Sequence, residues 1–385
     1  MLQGINRNFN ATCLALLLGL ALPSLLFAGA KIKVDDTKWF SIGMGFRSSF
    51  AITEDGAPNG ASDSAGVSFD NIRLYTAAKV HERVTVEFNT ERSDGATTTG
   101  QNTNARNQIQ VLDAVAKLSL DGFDIWAGRF LPPSDRANLD GPFYLNAAYD
   151  FPIVQAYPSI NAGRDNGIAI MQEFDGGKFK WSYGVFEGRT NRTNIDPNPD
   201  QTDNFLHAAR VTYNFWDPEP GYYTGSTYFG AKDVLAVGFV YQFEEDGAGT
   251  TTGTAGDFTG WNVDVLMEKK LATGAVVNLE GAYYEYDTDD ITDTSLIQGE
   301  SYFVLASYLC PKKTGWGKVQ PYVRYQHFAR ANLTGDGGNH TRVEGGLNYV
   351  IDGYNAKLTA LYYADRNGSN AATRNTFKLA WQFQL

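Results

Sequence analysis

The chain's last eleven residues, 375–385, alternate between apolar and polar side chains with a period of two. Phe377, Leu379, Trp381, Phe383 and Leu385 fall on one side, and Thr376, Lys378, Ala380, Gln382 and Gln384 on the other. Successive strand residues point to opposite faces, so this segment makes a strand with one apolar and one polar face, long enough to cross a bilayer at a tilt. Such a strand must face lipid on one side and water on the other while both its edges are paired. A closed barrel meets all three demands.

The rest of the chain repeats the pattern. Its 40 Gly, 21 Tyr and 24 Phe, with frequent turn signals and little helical periodicity, argue an all-β protein. About sixteen segments have strand character: 39–50, 66–80, 83–92, 108–120, 123–130, 164–174, 178–188, 203–216, 232–244, 258–270, 274–287, 299–310, 317–329, 340–351, 354–365 and 374–385. Register is least defined in 123–130, 164–174 and 299–310, where both faces are apolar. The connections alternate between short and long, with one exception, a longer link at 217–231 in a short place. Short turns on one rim and long loops on the other are what an up-and-down transmembrane barrel needs. Tyr213, Phe215, Trp216, Tyr241, Phe243 and Tyr349 stand near strand ends and are expected in interfacial girdles.

The first thirty residues read as a cleaved signal peptide. Arg7 supplies the charge, Cys13 to Phe27 the apolar run, and Ala28-Gly29-Ala30 the small-residue cleavage site. Residues 31–385 are then the barrel domain. Loss of Arg7 takes the net charge from −11 to −12, which argues against nucleic acid as a partner. Cys310 alone would survive cleavage, so no internal disulfide is expected.

Several stretches resemble the phosphate-selective porin O and P family of Gram-negative outer membranes. They are Glu344–Leu358 (EGGLNYVIDGYNAKL), Trp126–Pro133 (WAGRFLPP), Gly163–Ile168 (GRDNGI), Val185–Gly188 (VFEG) and Gln320–Gln326 (QPYVRYQ). The resemblance implies an antiparallel barrel of sixteen strands, a homotrimer, and a third long loop folded into the pore. Independently, residues 131–163 are the longest connection, stand third among the long ones, and carry five prolines, Pro132, Pro133, Pro142, Pro152 and Pro158. An insert of that length is usually functional. Folded inward, it would place Asp135, Arg136, Asp140, Tyr144, Asp150 and Arg164 at or near a constriction.

An Arg or Lys facing lipid at mid-membrane costs about 2–4 kcal/mol, so strand charges are expected to line the lumen. That assigns a basic lining of Arg47, Arg73, Arg129, Arg210, Arg324, Arg342, Lys357 and Lys378, and an acidic one of Glu87, Asp113, Asp264, Glu268, Glu280 and Glu344. Each is either a wall salt bridge or part of a selectivity field; segregation of the signs on opposite walls would orient polar solutes. Phosphate-specific members carry lysines on the inserted loop. Residues 131–163 contain none, with one interior arginine and three aspartates, so strong anion specificity is not expected.

Enzyme and metal motifs are missing, and no cofactor is expected. The acidic run Asp287, Asp289, Asp290 and Asp293 departs from the calcium-loop template and reads as a solvated loop. The expectation is a general-diffusion or weakly selective outer-membrane porin, passing small polar solutes or ions and touching lipid and lipopolysaccharide. An anion- or phosphate-preferring channel, or a plugged structural or adhesive barrel, are the alternatives.

Overall fold

The structure, a computed structural model, describes residues 29–92, 109–157, 163–189, 202–249, 253–291, 298–331, 338–368 and 370–385. The segment read as a signal peptide lies outside them save for Gly29 and Ala30, and Asp293 and Pro158 lie outside them as well.

The strands are β1 (Ala30–Lys33), β2 (Trp39–Thr53), β3 (Ser64–His81), β4 (Val84–Arg92), β5 (Gln110–Leu120), β6 (Phe123–Phe130), β7 (Asp165–Phe174), β8 (Phe179–Phe186) and β9 (Leu206–Asn214). They continue as β10 (Val234–Gly249), β11 (Ala255–Lys270), β12 (Val276–Asp287), β13 (Gly299–Leu309), β14 (Lys313–Thr314), β15 (Gly317–Arg330), β16 (His340–Asp352), β17 (Ala356–Asn367) and β18 (Arg374–Gln384). One short helix, α1 (Arg136–Asp140), follows β6.

All but β1 and β14 make a closed, sixteen-stranded antiparallel wall in up-and-down order. The closing strand pairs with β2, Ala380 opposite Ser49, which removes the free edges of an open sheet. Leu385 and Met44 exchange both backbone hydrogen bonds, at 3.0 and 2.9 Å. Below that point β1 takes over the edge of β2, with Ala30 opposite Ile42. Neither β1 nor the two-residue β14 is announced by the sequence pattern, and β10 and β11 run further into the 245–257 link than alternation suggests.

The outer face is mostly apolar, with charges such as Glu285 and Glu300 at outward positions near strand ends. Phe377, Leu379 and Phe383 on β18 are exposed, as are Val323 and Tyr325 on β15 and Tyr302 and Val304 on β13. Of the aromatics expected in girdles, Tyr213, Phe215, Trp216 and Tyr241 are exposed, and Phe243 and Tyr349 are half-buried. Among the described residues no helix is long and apolar enough to cross a membrane.

The three strands of uncertain register resolve for a common reason. Their inner faces are apolar because they pack against protein instead of water. Trp126 and Phe130 on β6, Ala169 and Met171 on β7 and Phe303 on β13 all point inward, into one buried cluster with Ala137, Leu145 and Val154 of the third connection. A second inward cluster joins Ala147, Ala148 and Tyr149 to Leu305, Tyr322 and Leu361. Part of this barrel's lumen is a hydrophobic core.

Candidate functional site

Residues 131–157 turn inward from the long-loop rim and cross the lumen. Most of them are buried, and they dock on the wall through paired polar groups. Gln242 donates to the Pro133 carbonyl at 2.8 Å and Gln382 to that of Phe143 at 2.9 Å. Asn348 donates to the Ala147 carbonyl at 2.7 Å. Arg47 donates to the Tyr149 carbonyl. A bulge in β3 beside Arg47 leaves Asp70 without an opposite residue, and its carboxylate accepts from the Tyr149 hydroxyl at 2.7 Å.

A second segment enters from the opposite rim. The connection between β9 and β10, residues 215–233, is the one that breaks the short–long alternation, and it is no surface turn. Glu219 and Ser226 are fully buried and Thr227 nearly so. Arg136 holds Glu219 through both guanidinium nitrogens, at 2.8 and 2.6 Å, a bidentate pair of the strong kind. Tyr222 donates to the Leu131 carbonyl at 2.8 Å, Ser226 to Asp140, and Tyr228 to Glu219 at 2.6 Å. Tyr354, from the turn between β16 and β17, supports both inserts, its single hydroxyl proton shared between the Tyr144 carbonyl at 3.0 Å and the Thr227 carbonyl at 2.9 Å.

Every strand charge assigned to the lumen except Arg129 is on the inward side, and most of these stand in local pairs. Arg324 binds Glu344 at 2.6 Å directly across the β15–β16 ladder. Arg73 binds Glu91, Lys117 binds Glu87, Arg164 binds Asp113 at 3.2 Å, and Arg342 binds Asp365 at 2.9 Å. Lys378 meets Asp150 of the inserted loop at 2.6 Å. Arg129 is the exception: it stands on the outward side of β6, opposite Ala114 and Asn166 and one step out of phase with the inward Trp126 and Phe130, close to the long-loop rim, where an outward charge costs little. Glu268 and Glu280 have no ion-pair partner among the described residues. Glu268 accepts from Thr227, Asn278 and the Tyr228 and Gly230 amides, and Glu280 from Asn146 and Ser226. Lys357 is buried on β17. The signs therefore alternate within each wall instead of segregating between walls.

Arg210 reaches Asp264 diagonally across β10 because position 238 between them is glycine. A Cβ there would lie 2.3 Å from Arg210 Nη2 and 2.8 Å from Asp264 Oδ1. Gly238→Ala is expected to split this buried pair and cost about 3 kcal/mol, since each charge then lacks its partner. A urea-unfolding midpoint equal to that of the parent would refute this.

The inserted carboxyls divide by partner. Asp135 is fully buried, accepting from Tyr284 at 2.8 Å and Gln155 at 2.8 and 2.9 Å. Burial, aided by the nearby Asp264 charge, lifts it to about 6. Burial lifts Asp140 in the same direction against the opposing pull of Arg136. Burial would also raise Glu219, but the Arg136 guanidinium outweighs it and holds the group at about 2.

Sequence reasoning placed all six loop residues near the constriction, and the structure brings Asp135, Arg136, Asp140, Tyr144 and Asp150 into the lumen with Arg164 against the wall. It missed Glu219, Tyr222, Ser226 and Tyr228. The available signal was the length of that one link and its aromatic content (Tyr222, Tyr223, Tyr228, Phe229), which a solvated turn does not need.

No family model matches the chain. An uncharacterized protein of Aquifex aeolicus is 27% identical over 206 residues, covering 50% of this chain and 47% of that protein. The match thus spans about half of that relative's length. The anion-selective porin from Comamonas acidovorans superposes with a TM-score of 0.55 at 11% identity, over 90% of this chain and all of that one. The fold is a porin's. The trimer form of OmpT, an outer membrane protein of Vibrio cholerae, superposes with a TM-score of 0.55 at 13% identity, over 91% and 100% of the two chains. Identities this low speak to the barrel alone and do not single out the phosphate-selective porins.

Proposed function

We propose that this chain is a weakly selective outer-membrane porin of a Gram-negative bacterium, admitting small hydrophilic solutes and ions down their gradients, with no catalytic role. The observation that carries the reading is the inward-folded third connection inside a closed sixteen-stranded barrel. It narrows the lumen toward the β3–β5 wall, where Arg73, Glu87, Asp113, Tyr144 and Arg164 border a remaining gap of about 90 Å³. Because these charges are paired, the net field along that wall is small and ion preference weak, as charge rings select by net local potential. A homotrimer is the assembly proposed, in line with the trimer form of the like-folded OmpT. Cross-linking in native membranes tests it: a band at three chain masses is expected, and monomer alone would overturn it.

The lumen's hydrophobic cluster favours a second reading, a barrel plugged at rest. Planar-bilayer recording separates the two. The porin reading expects stepwise conductance from the parent protein, with a reversal potential near zero in a salt gradient. The plugged reading expects silence until residues 142–152 are replaced by a short Gly-Ser linker. Under either, that replacement raises conductance, and a folded variant that stays silent would sink both.

A further inference from the structure

A second cavity, of about 250 Å³, lies at the short-turn end of the lumen beneath the inserted 215–233 segment. Its wall is the inward face of β6–β9 and its roof is Leu139 of α1 with Tyr222. Of its cations, Arg136 and Arg210 are already held by Glu219 and Asp264. Lys180 is not: its ammonium donates once, to the Gly221 carbonyl at 2.9 Å, and has no carboxylate within ion-pair reach among the described residues. An ammonium carries three donors, so two remain. Thr212 stands directly across from Lys180, and both line the cavity.

The opposite pole is Asp124 on β6. It lines the same cavity, is half-buried, and has no hydrogen-bond or ion-pair partner among the described residues. Its neighbour Lys117 is occupied by Glu87. Glu173, the other acid in the lining, faces Lys180 across the ladder, but it accepts the Gly221 amide at 2.8 Å and so serves to hold the inserted segment. Between the poles lies Met171, directly across from both Asp124 and Ser182.

We infer that this cavity binds a short peptide with free termini, its ammonium on Asp124 and its carboxylate on Lys180 and Thr212, its side chains over Met171, Leu139 and Tyr222. Asp124 and Lys180 are two strands and one inward step apart, about 12 Å between Cα atoms at ordinary strand spacing. A fully extended dipeptide spans about 7 Å, and a charge-assisted hydrogen bond at each end adds about 2.8 Å. Both side chains leave the same inward wall face, so their charged ends stand apart by a span of the same order as their Cα atoms, which suits that length. An amino acid, with its charges on one carbon, is too short to reach both, and a simple anion leaves Asp124 unanswered. The inference deepens the porin reading by naming a solute class, and rests on that reading for the peptide's way in and out.

Calorimetric titration of the detergent-solubilised full chain with alanyl-leucine tests it, beside the N-acetylated and C-amidated forms. Saturable binding is expected, weakened about tenfold by either block, equivalent to about 1.4 kcal/mol. Asp124→Asn should bind the acetylated and free peptides alike, and Lys180→Gln the amidated and free peptides alike. Gln keeps a donor for Gly221, so the inserted segment stays seated. No saturable binding, or equal binding of all three peptides by the parent protein, overturns the inference, as does retention of both preferences by the two variants. Bilayer currents keep the readings apart. Conductance that peptide does not block, from protein that does not bind it, removes the peptide site alone. Peptide binding by a barrel silent in every form removes the porin reading alone.

Discussion

Glu219→Gln should open the lumen. The substitution keeps the side chain's shape but leaves Arg136, itself buried, without the carboxylate that binds two of its nitrogens. Removing one partner of a buried ion pair costs about 3–5 kcal/mol, because the remaining charge is stranded away from water. Asp140 and the Gly225 carbonyl, which accepts from Arg136 at 3.0 Å, recover only part of that. The pair is also the main charged joint between the two inserts. Its loss should therefore appear as higher single-channel conductance and protease cleavage within 215–233, with the wall unchanged by circular dichroism. Exchanging the charges, Arg136→Glu with Glu219→Arg, should restore part of the parent behaviour. A Glu219→Gln protein with parent conductance and parent protease resistance would show that the inserts hold without the joint.

The second large effect is on pH. Asp135 sits at about 6, above the ordinary 3.8 of an aspartate, because burial and the Asp264 charge disfavour its ionised form. The folded plug then binds the proton more tightly than the unfolded chain. Its contribution is complete below the ordinary value and is lost as pH rises through about 6. About two units correspond to roughly 3 kcal/mol. Asp140 acts in the same direction. Glu219 has the opposite sign. Held at about 2 against an ordinary 4.5, it contributes fully above 4.5, and that contribution is lost as pH falls toward 2. The two windows meet near pH 4, so the inserts should sit most firmly there and loosen as pH rises toward about 6. Conductance should rise from about pH 4 to about pH 6.5 in the parent protein and rise less steeply in Asp135→Asn, where Asp140 alone is left to act. That asparagine keeps an acceptor for Tyr284, whose hydroxyl donates to Asp135. A parent profile without a rise, or an Asp135→Asn profile as steep as the parent's, would assign any gating to other groups.

The barrel was legible because its physics is local. Each wall strand must show one face to lipid, so the period of two is written into every segment, and the closing strand displays it most cleanly. Strand charges were legible as to face save for Arg129, since an ion on the outer side is costly at mid-membrane but cheap near the rim where Arg129 stands. Their partners were not. Arg324 and Glu344 are far apart in sequence, yet opposite in register. The Arg210–Asp264 contact depends on a glycine on the strand between them. Register and bulges settle such pairings, and alternation fixes a face without fixing a neighbour. The doubly apolar strands, 123–130, 164–174 and 299–310, were ambiguous for the same reason that makes them informative. Their inner faces meet an inserted loop, which single-strand periodicity cannot distinguish from lipid.

The sequence by itself determined an all-β chain, sixteen wall strands in up-and-down order, the lipid side of each well-patterned strand, and a proline-rich third connection set apart by length. These follow from side-chain period and the cost of exposing charge, which act residue by residue. The tertiary structure decided what fills the barrel. That the 215–233 turn enters the lumen, that Arg136 meets Glu219, and that most lumen charges cancel in local pairs all depend on contacts between segments remote in the chain. Such contacts carry no period, because each is fixed by how two buried groups satisfy one another once the wall has closed.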